Sequence, residues 1–188
     1  MIKLNVVIAL LAVCVLMLVG FLLVKGDRPT VKAAAEVGAR LAKDFNPESV
    51  KTIALKKGET QVTLEKKEKD WVLSSHKNRA AKNDRVEALL TSIKTATIDD
   101  KRMGSDTLFA LDDKGRVELV AQSESTKTTL LIGKSPAHGR CFVRTEAAGE
   151  IYEVDKGLDN DAGVRVEKEE RTLDVSHFYD LKIFGLTQ

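Results

Sequence analysis

Three consecutive residues, Gly133, Lys134 and Ser135, match the end of a nucleotide-binding loop. In such a loop the backbone amides surround the phosphates and the lysine reaches their oxygens. The motif also requires a glycine five residues before Gly133, and Thr128 occupies that position. Pro136 follows directly, where the helix that points its N-terminus at the phosphate should begin. The tripeptide is therefore predicted to form a hairpin turn rather than a nucleotide site.

The three histidines, His76, His138 and His177, are candidate metal ligands. None of them pairs with another His or Cys in a zinc-site pattern. His138 lies three residues before Cys141, and an extended loop could bring both side chains near one metal ion. Two ligands do not make a structural zinc site, so surface or turn histidines are predicted.

An acidic segment, Asp159-Asn160-Asp161-Ala162-Gly163, resembles the start of a calcium-binding loop. The acidic third ligand is absent, the glycine stands one position early, and the spacing to Glu169 does not complete the pattern. A solvent-exposed acidic turn is predicted instead. The surrounding stretch 157–172, which also contains Glu167 and Glu170, is expected to be a long and mobile loop.

Hydrolytic chemistry has no recognisable signature in this sequence. A serine nucleophile on an elbow would need Gly-x-Ser-x-Gly, which does not occur. Many carboxylates are available for general acid-base work, but their spatial pairing cannot be read from the sequence. We therefore assign no catalytic, cofactor-binding or metal-binding residue, expect no cofactor, and predict that the chain is not an enzyme.

An uncharged apolar run covers residues 6–24. About 20 such residues in a helix span a hydrocarbon layer of about 30 Å, so residues 1–25 are predicted to form a transmembrane signal anchor. A cleaved signal peptide is the alternative, but the run is longer than usual and no small-x-small cleavage triplet follows it. Cys14 is expected to be a membrane-buried thiol rather than a lipidation site, because bulky Val13 precedes it. Cys14 and Cys141 lie too far apart in this arrangement to pair.

The predicted location is the inner membrane, with a single span and an exported, periplasmic C-terminal domain. Lys3 stands before the apolar run, whereas Lys25, Arg28 and Lys32 follow it, so the positive-inside rule does not decide the orientation. The short N-terminal tail is typical of anchors whose N-terminus stays in the cytoplasm.

Charge excludes nucleic acid as the main partner. The chain carries 30 basic and 28 acidic side chains, and a nucleic-acid-binding domain usually has a strongly basic face. A local basic cluster, Lys77, Arg79, Lys82 and Arg85, is interpreted as a solvated surface, with contact to anionic lipid as the alternative.

The periodicity of apolar residues predicts the elements of the fold. Residues 29–45 are predicted to form a juxtamembrane helix. This helix lies within a juxtamembrane helix or linker segment that is assigned to residues 26–45. Val86, Leu89, Leu90 and Ile93 follow helical spacing, and Asp84 with Glu87 suggests a capping box. Trp71 is interpreted as a core residue. Alternating runs predict strands at 50–56, 61–65, 70–74, 116–122, 128–132, 140–145 and 150–154.

This element order, three strands, a helix and four strands, predicts an α+β fold class with a mainly antiparallel β-sheet and one well-defined amphipathic helix. The soluble domain is assigned to residues 46–188. The C-terminal run 181–186 faintly resembles 50–55, which suggests either the first strand of a second, truncated module or a strand that closes the sheet.

Several segments together resemble family 4340 of the domains of unknown function. They are Asp44-Phe45-Asn46-Pro47-Glu48-Ser49-Val50-Lys51-Thr52-Ile53, Val62-Thr63-Leu64-Glu65-Lys66, Trp71-Val72-Leu73, the helix at 85–93, Phe109-Ala110-Leu111-Asp112-Asp113, Leu130-Leu131-Ile132-Gly133-Lys134 and Ile151-Tyr152-Glu153-Val154. The resemblance covers about residues 44–186. The chain departs from the family at Asp112-Asp113-Lys114, where a proline often follows the acidic pair.

The resemblance implies an envelope protein without a known activity. Many members are membrane-anchored bacterial envelope proteins, some accompany transporter systems of the gliding-motility auxiliary type, and no active-site residues come with the family.

The leading hypothesis is a membrane-tethered interaction or scaffold module, accessory to a transporter complex, with an envelope or transporter protein as partner. It predicts exposed sheet edges or an apolar patch and no convergent polar pocket. The alternative is an envelope protein that binds a small ligand, such as a peptide or glycan, in a pocket of a few hundred Å³. An uncharacterised hydrolase is the third possibility, and the oligomeric state stays open.

Overall fold

Two runs of consecutive antiparallel strands lie side by side in one sheet. A computed structural model describes residues 36–146, 149–168 and 170–180, all within one unit of the chain, 33–188. The strands are β1 (Thr52–Lys57), β2 (Thr60–Lys67), β3 (Asp70–Leu73), β4 (Arg79–Ala80), β5 (Ile98–Arg102), β6 (Val117–Gln122), β7 (Lys127–Ile132), β8 (Cys141–Thr145), β9 (Ile151–Val154), β10 (Val164–Glu167) and β11 (Glu170–Leu173). The α-helices are α1 (Asn83–Thr95) and α2 (Leu158–Asp161), and 3-10 turns cover Pro47–Ser49, Ser74–His76, Asp106–Phe109 and Val175–Phe178.

Nine strands form the main sheet in the order β4-β3-β2-β1-β6-β7-β8-β9-β5. The pairings are antiparallel, and β1 joins the two runs by pairing with β2 on one side and β6 on the other. Alternation of apolar and polar residues sets the register, because a slip of one residue would turn Ile53 and Leu55 away from the core. The remaining strands, β10 and β11, form a separate hairpin.

Helix α1 leads from β4, at one edge of the sheet, to β5, at the opposite edge. Its buried side chains are Val86, Leu89, Leu90 and Ile93, the stripe that the periodicity predicts. They share one hydrophobic cluster with the inward-facing residues of the strands. Burial of four such side chains is worth roughly 1.5–3 kcal/mol each before entropy is counted.

The start of α1 differs from the predicted capping box. The helix begins at Asn83, and its N-cap residue, Lys82, makes no side-chain capping bond. The Asn83 side chain instead accepts a hydrogen bond from the backbone N–H of Trp71 and donates one to Asp70. Asn83 therefore ties the helix to β3, and Trp71 is buried in the core, as predicted.

A smaller apolar cluster covers part of the second face of the sheet. It contains Phe109, Leu111, Phe142 and Ile151. Phe109 and Phe142 meet edge to face with ring centroids 4.8 Å apart. Gly133, at the end of β7, lets the backbone of Phe109 approach, and the N–H of Lys134 donates to the Phe109 carbonyl at 2.9 Å. The Asp106–Phe109 turn is thus held against the sheet.

Short extended segments lie along both edges of the sheet. At one edge Ala81 forms a β-bridge with Tyr179, and the N–H of Asp180 donates to the carbonyl of Ala80. At the other edge Arg40 forms a bridge with Thr97. These segments satisfy part of the backbone hydrogen bonding that an edge strand leaves open.

The predicted α+β fold class is wrong. The described residues form a mainly antiparallel β structure, in which α1 is the only helix of seven residues or more. The seven predicted strands lie within two residues of observed ones, and four additional strands, β4, β5, β10 and β11, were missed. Strand β5 contains four charged residues in succession, Asp99, Asp100, Lys101 and Arg102. Their charge is the reason why the sequence did not predict a strand there. Pairing with β9 makes this charged segment extended, because tertiary context outweighs weak strand propensity.

Two further predictions about chain segments need correction. Residues 36–45 form turns and a single β-bridge instead of the helix predicted over 29–45. The stretch 157–172, expected to be a loop, contains α2 and the β10–β11 hairpin. Among the described residues no helix is long and apolar enough to cross a bilayer. The predicted transmembrane helix at 1–25 and the repeat-like run 181–186 lie outside the described residues.

Gly133→Ala is expected to lower the free energy of unfolding by about 3 kcal/mol, because a Cβ there would lie 2.3 Å from the Phe109 carbonyl oxygen. Chemical denaturation measures this change. The matched control is Gly149→Ala, whose Cβ would meet nothing within 4 Å and which should change stability by less than about 0.5 kcal/mol. Equal stability of the two variants would show that the close approach at Gly133 is unimportant.

Candidate functional site

The fold brings three sequence candidates together around one cavity of about 560 Å³. They are Ser135 from the Gly-Lys-Ser tripeptide, His138 from the loop before β8, and the acidic segment of α2. The lining residues are Ser135, Ala137, His138, Gly139, Gly157, Asp159, Asn160, Asp161 and Val164. No signal in the sequence joined these candidates, because more than twenty positions separate Ser135 from Asp159.

Ser135 and Asp159 form the polar centre of this cavity. The Ser135 hydroxyl lies 2.9 and 2.8 Å from the two carboxylate oxygens of Asp159 and 2.6 Å from the carbonyl of Arg140. The N–H of Asn160 donates to the Asp159 carboxylate at 2.9 Å. A hydroxyl has one proton to donate, and here an internal acceptor takes it. The pair therefore connects the loop before β8 to α2. Among the described residues no histidine is hydrogen-bonded to the Ser135 hydroxyl.

Asp159 also departs from the exposed acidic turn that was predicted, because it is buried, with 7% of its surface exposed. Asp161, two residues later, accepts a hydrogen bond of 2.6 Å from the Ser92 hydroxyl of helix α1. The segment resembling a calcium loop is helix α2, whose carboxylates bind neighbouring elements. In the described part of the chain no group of three or more His, Cys, Asp or Glu side chains could hold a metal ion.

Arg171, from β11, lies near Asp159, which lines the cavity. Its guanidinium donates to the carbonyl oxygens of Gly115 and Gly133, both at 2.6 Å, and lies 3.9 Å from Asp159. The Arg171 side chain is only 8% exposed, and burial lowers its pKa from the ordinary value. Gly133 thus allows close backbone packing, and its carbonyl oxygen accepts a hydrogen bond from Arg171. The turn predicted at residues 133–135 lies further on, at 138–139, because Gly133 and Lys134 continue the pairing with Phe142.

Cys141 lies in the core near the same cavity, away from solvent. Burial, together with the nearby Asp159 carboxylate, raises the pKa of the Cys141 thiol to about 12. The thiolate is the nucleophilic and metal-binding form of cysteine, so this environment suppresses both kinds of reactivity. His138, three residues earlier, is exposed on the cavity rim.

A second group of charged residues occupies the other face of the sheet beside β5. Glu153 accepts hydrogen bonds from Arg102, at 3.0 and 2.5 Å, and from Arg140, at 3.0 Å. Its side chain is 6% exposed. The Arg102 hydrogen bond, with help from Arg140, holds the pKa of Glu153 below its ordinary value. A glutamate inside the apolar strand Ile151–Val154 is the sequence signal for this charged group.

An exposed apolar patch lies next to this charged group. Met103, which follows β5, is 96% exposed, and Leu108 is 56% exposed. Leu108 lies close to Gly104, since a Cβ on that residue would be 3.3 Å from its side chain, and Met103 directly precedes Gly104 in the chain. Beside them Arg144 forms a two-bond ion pair with Asp106, and this hydrogen bonding lowers the pKa of Asp106. We call Met103 and Leu108 the Met103 patch.

The side chains of the predicted basic cluster are only partly exposed to solvent without a partner. Lys77, Arg79 and Arg85 are exposed, and Lys82 is half-buried. The Arg79 guanidinium lies 4.6 Å from the ring centroid of Tyr179, in the segment that closes the β4 edge. Cation–π contact therefore gives Arg79 a structural role at this edge.

Glu153→Gln is expected to lower the free energy of unfolding by about 1–2 kcal/mol at neutral pH, because two guanidinium groups lose their charged acceptor. The pKa of Glu153 is lowered in the fold from its ordinary value of 4.5. The carboxylate thus contributes its full stability above about pH 4.5, and the contribution disappears as the pH falls through the lower folded-state pKa.

Denaturant unfolding of both proteins at several pH values checks this. The control is Asp113→Asn, whose ion pair with Arg116 is exposed and should be worth under about 0.5 kcal/mol. A stability difference between wild type and Glu153→Gln that does not change with pH would contradict the expected pKa.

Cys141 is expected to react with a thiol reagent at least about 100-fold more slowly in the native protein than in denaturant. Its raised pKa keeps the thiol protonated, and its burial keeps the reagent away. The measurement uses the full chain with Cys14→Ser, so that Cys141 is its single thiol. Equal native and denatured rates would show that the thiol is accessible.

Comparison with known proteins assigns the family. A family model described as Domain of unknown function (DUF4340) matches residues 71–169, which is more than half of the chain and includes α1 and most strands of the sheet. No curated protein and no solved structure matches the chain. The segments of the sequence resemblance that precede residue 71 lie outside this match. The chain belongs to the family described as Domain of unknown function (DUF4340).

Proposed function

We propose that this protein is an interaction module that uses the Met103 patch to bind a partner protein of the bacterial envelope. The observation that carries the proposal is the exposure of Met103, of which 96% is accessible, beside the half-exposed Leu108. Burial of one such side chain at an interface yields roughly 1.5–3 kcal/mol, which makes these two residues natural anchors.

The surroundings of the patch fit this proposal. Phe109 packs on Phe142 and holds the Asp106–Phe109 turn, which contains Leu108, against the sheet. The Arg144–Asp106 pair and the Arg102–Glu153 pair supply charged groups nearby. Protein interfaces combine an apolar centre with a polar rim, and methionine adapts to the shape of its partner.

The polar groups at the Ser135 cavity favour a role in protein interaction over a catalytic role. The hydroxyl of Ser135 and the carboxylate of Asp159 bind each other, and Arg171 binds backbone carbonyls. Side chains used in this way position elements of the fold. The proposal therefore includes no catalytic step.

The envelope location and the identity of the partner rest on the sequence. The uncharged run 6–24 and the family resemblance support a protein at the inner membrane with a periplasmic domain, and the resemblance supports a transporter component as partner. These points belong to the proposal.

Small-ligand binding is the second candidate function, because a cavity of about 560 Å³ with hydroxyl, carboxylate and amide groups has formed near α2. Its acceptors suit a ligand rich in donors, such as a glycan or the amine of a peptide. Perturbation of amide resonances at 135–139 and 157–161 on addition of such a ligand would favour this function over the first.

A photo-reactive residue that replaces Met103 in the full-length protein is expected to cross-link to a defined envelope protein in native membranes. The matched control is the same residue at Val166, which is also exposed and apolar, at 63%, but lies on the β10–β11 hairpin. Mass spectrometry of the product identifies the partner.

Leu108→Lys should reduce the yield of the Met103 product about tenfold, because it places a charge in the apolar centre. The proposal fails if Met103 gives no discrete product, if Val166 gives the same one, or if Leu108→Lys leaves the yield unchanged.

A further inference from the structure

A second cleft, of about 600 Å³, is lined by Arg171. Its walls come from the β1–β2 turn, the turn at 112–115 before β6, and the beginning of β11. Lys57, the last residue of β1, and Arg171 both line it. Neither residue was singled out from the sequence.

The two cations meet at one neutral acceptor. The carbonyl oxygen of Gly115 accepts from Arg171 at 2.6 Å and from the Lys57 ammonium at 3.3 Å. Lys57 also donates to the carbonyl of Lys114 at 2.5 Å. Within the described residues no carboxylate oxygen lies within 4.0 Å of the Lys57 ammonium. Burial, followed by the charge of Arg171, lowers the pKa of Lys57. Lys57 and Arg171 therefore share one carbonyl, while the Asp159 carboxylate lies 3.9 Å from Arg171 and the charges of Asp112 and Glu170 oppose the lowering of the Lys57 pKa.

Both cations keep unused donors. The Arg171 side chain is 8% exposed, and its buried Nε has no hydrogen-bond partner in the part of the chain that the structure describes. Lys57 has three ammonium protons, of which two point to carbonyls. The Nε atom has almost no accessible surface, so the donors of Arg171 that remain for a ligand are the second N–H groups of its two terminal nitrogens, each of which gives one N–H to a carbonyl.

Three acidic residues also line the cleft, and two of them already have partners. The Asp112 carboxylate accepts from the N–H of Gly115 at 3.1 Å, and Asp113 pairs with Arg116 at 2.8 Å. Glu170, at the end of the hairpin, is paired across the strands with Glu167. Two like-charged residues directly opposite each other repel, and the charge of Glu170 also opposes an incoming anion.

We propose that this cleft binds the oxyanion group, carboxylate or phosphate, of a small molecule between Lys57 and Arg171. Arg171 offers a fixed donor and a delocalised charge, and Lys57 offers a mobile point charge. Charge-assisted bonds of this kind are the strong ones in proteins, and a bound anion would relieve the repulsion between the two cations. The site is independent of the Met103 patch.

The test is thermal unfolding of the full-length protein, followed by the fluorescence of its single tryptophan, Trp71. The probes are inorganic phosphate and citrate, with chloride at matched ionic strength as the reference, since screening alone must be subtracted. Wild type should show a rise in Tm that saturates with phosphate or citrate and is absent with chloride. The more effective probe assigns the anion to the phosphate or the carboxylate class.

Lys57→Met should weaken the apparent affinity about tenfold, because one charge-assisted bond is lost. The matched control, Lys56→Met, removes the neighbouring exposed lysine and should bind as wild type does. Glu170→Gln should strengthen binding several-fold, and it decides the question if Lys57→Met does not fold. The proposal is overturned by a wild-type Tm that responds equally to chloride, by unchanged binding in Lys57→Met, or by unchanged binding in Glu170→Gln.

Discussion

The guanidinium group of Arg171 donates to the carbonyl oxygens of Gly115 and Gly133, and these two hydrogen bonds join the β10–β11 hairpin to two turns of the main sheet. The same group lies 3.9 Å from buried Asp159 on one side and shares the Gly115 carbonyl with Lys57 on the other. Both cavities are therefore arranged around one buried cation. A buried guanidinium is costly without acceptors, so the positions of these turns depend on it.

The two faces of the sheet have different roles. One face is buried under α1 and contains the large hydrophobic cluster, in which Ile53, Leu64 and Ile93 are fully buried. The other face has a small apolar cluster around Phe142 and a buried carboxylate, Glu153, that two arginines neutralise. A stable core on one side allows charged and exposed apolar residues to concentrate on the other.

Much of the sheet could be predicted, because alternation places Val62 and Leu64 on one face and helical spacing places Val86 and Ile93 on one side of α1. Strand β5 could not be predicted, because its charged residues Asp99 to Arg102 show no alternation and become extended only by pairing with β9. The β10–β11 hairpin was interpreted as a loop for a similar reason, since three of its four β10 residues are exposed. The candidate site was missed as a whole, although Ser135, His138 and Asp159 were each considered separately.

The sequence by itself determined the family, the strands of alternating pattern, the core stripe of α1 and the near balance of charge. These properties depend on local periodicity and composition, which are written in neighbouring residues. Only the tertiary structure decided that Ser135 meets Asp159, that Lys57 and Arg171 share a carbonyl, and that Arg102 and Arg140 neutralise Glu153. Such contacts join residues that are far apart in the chain, and their geometry depends on strand order and register, which no short segment specifies.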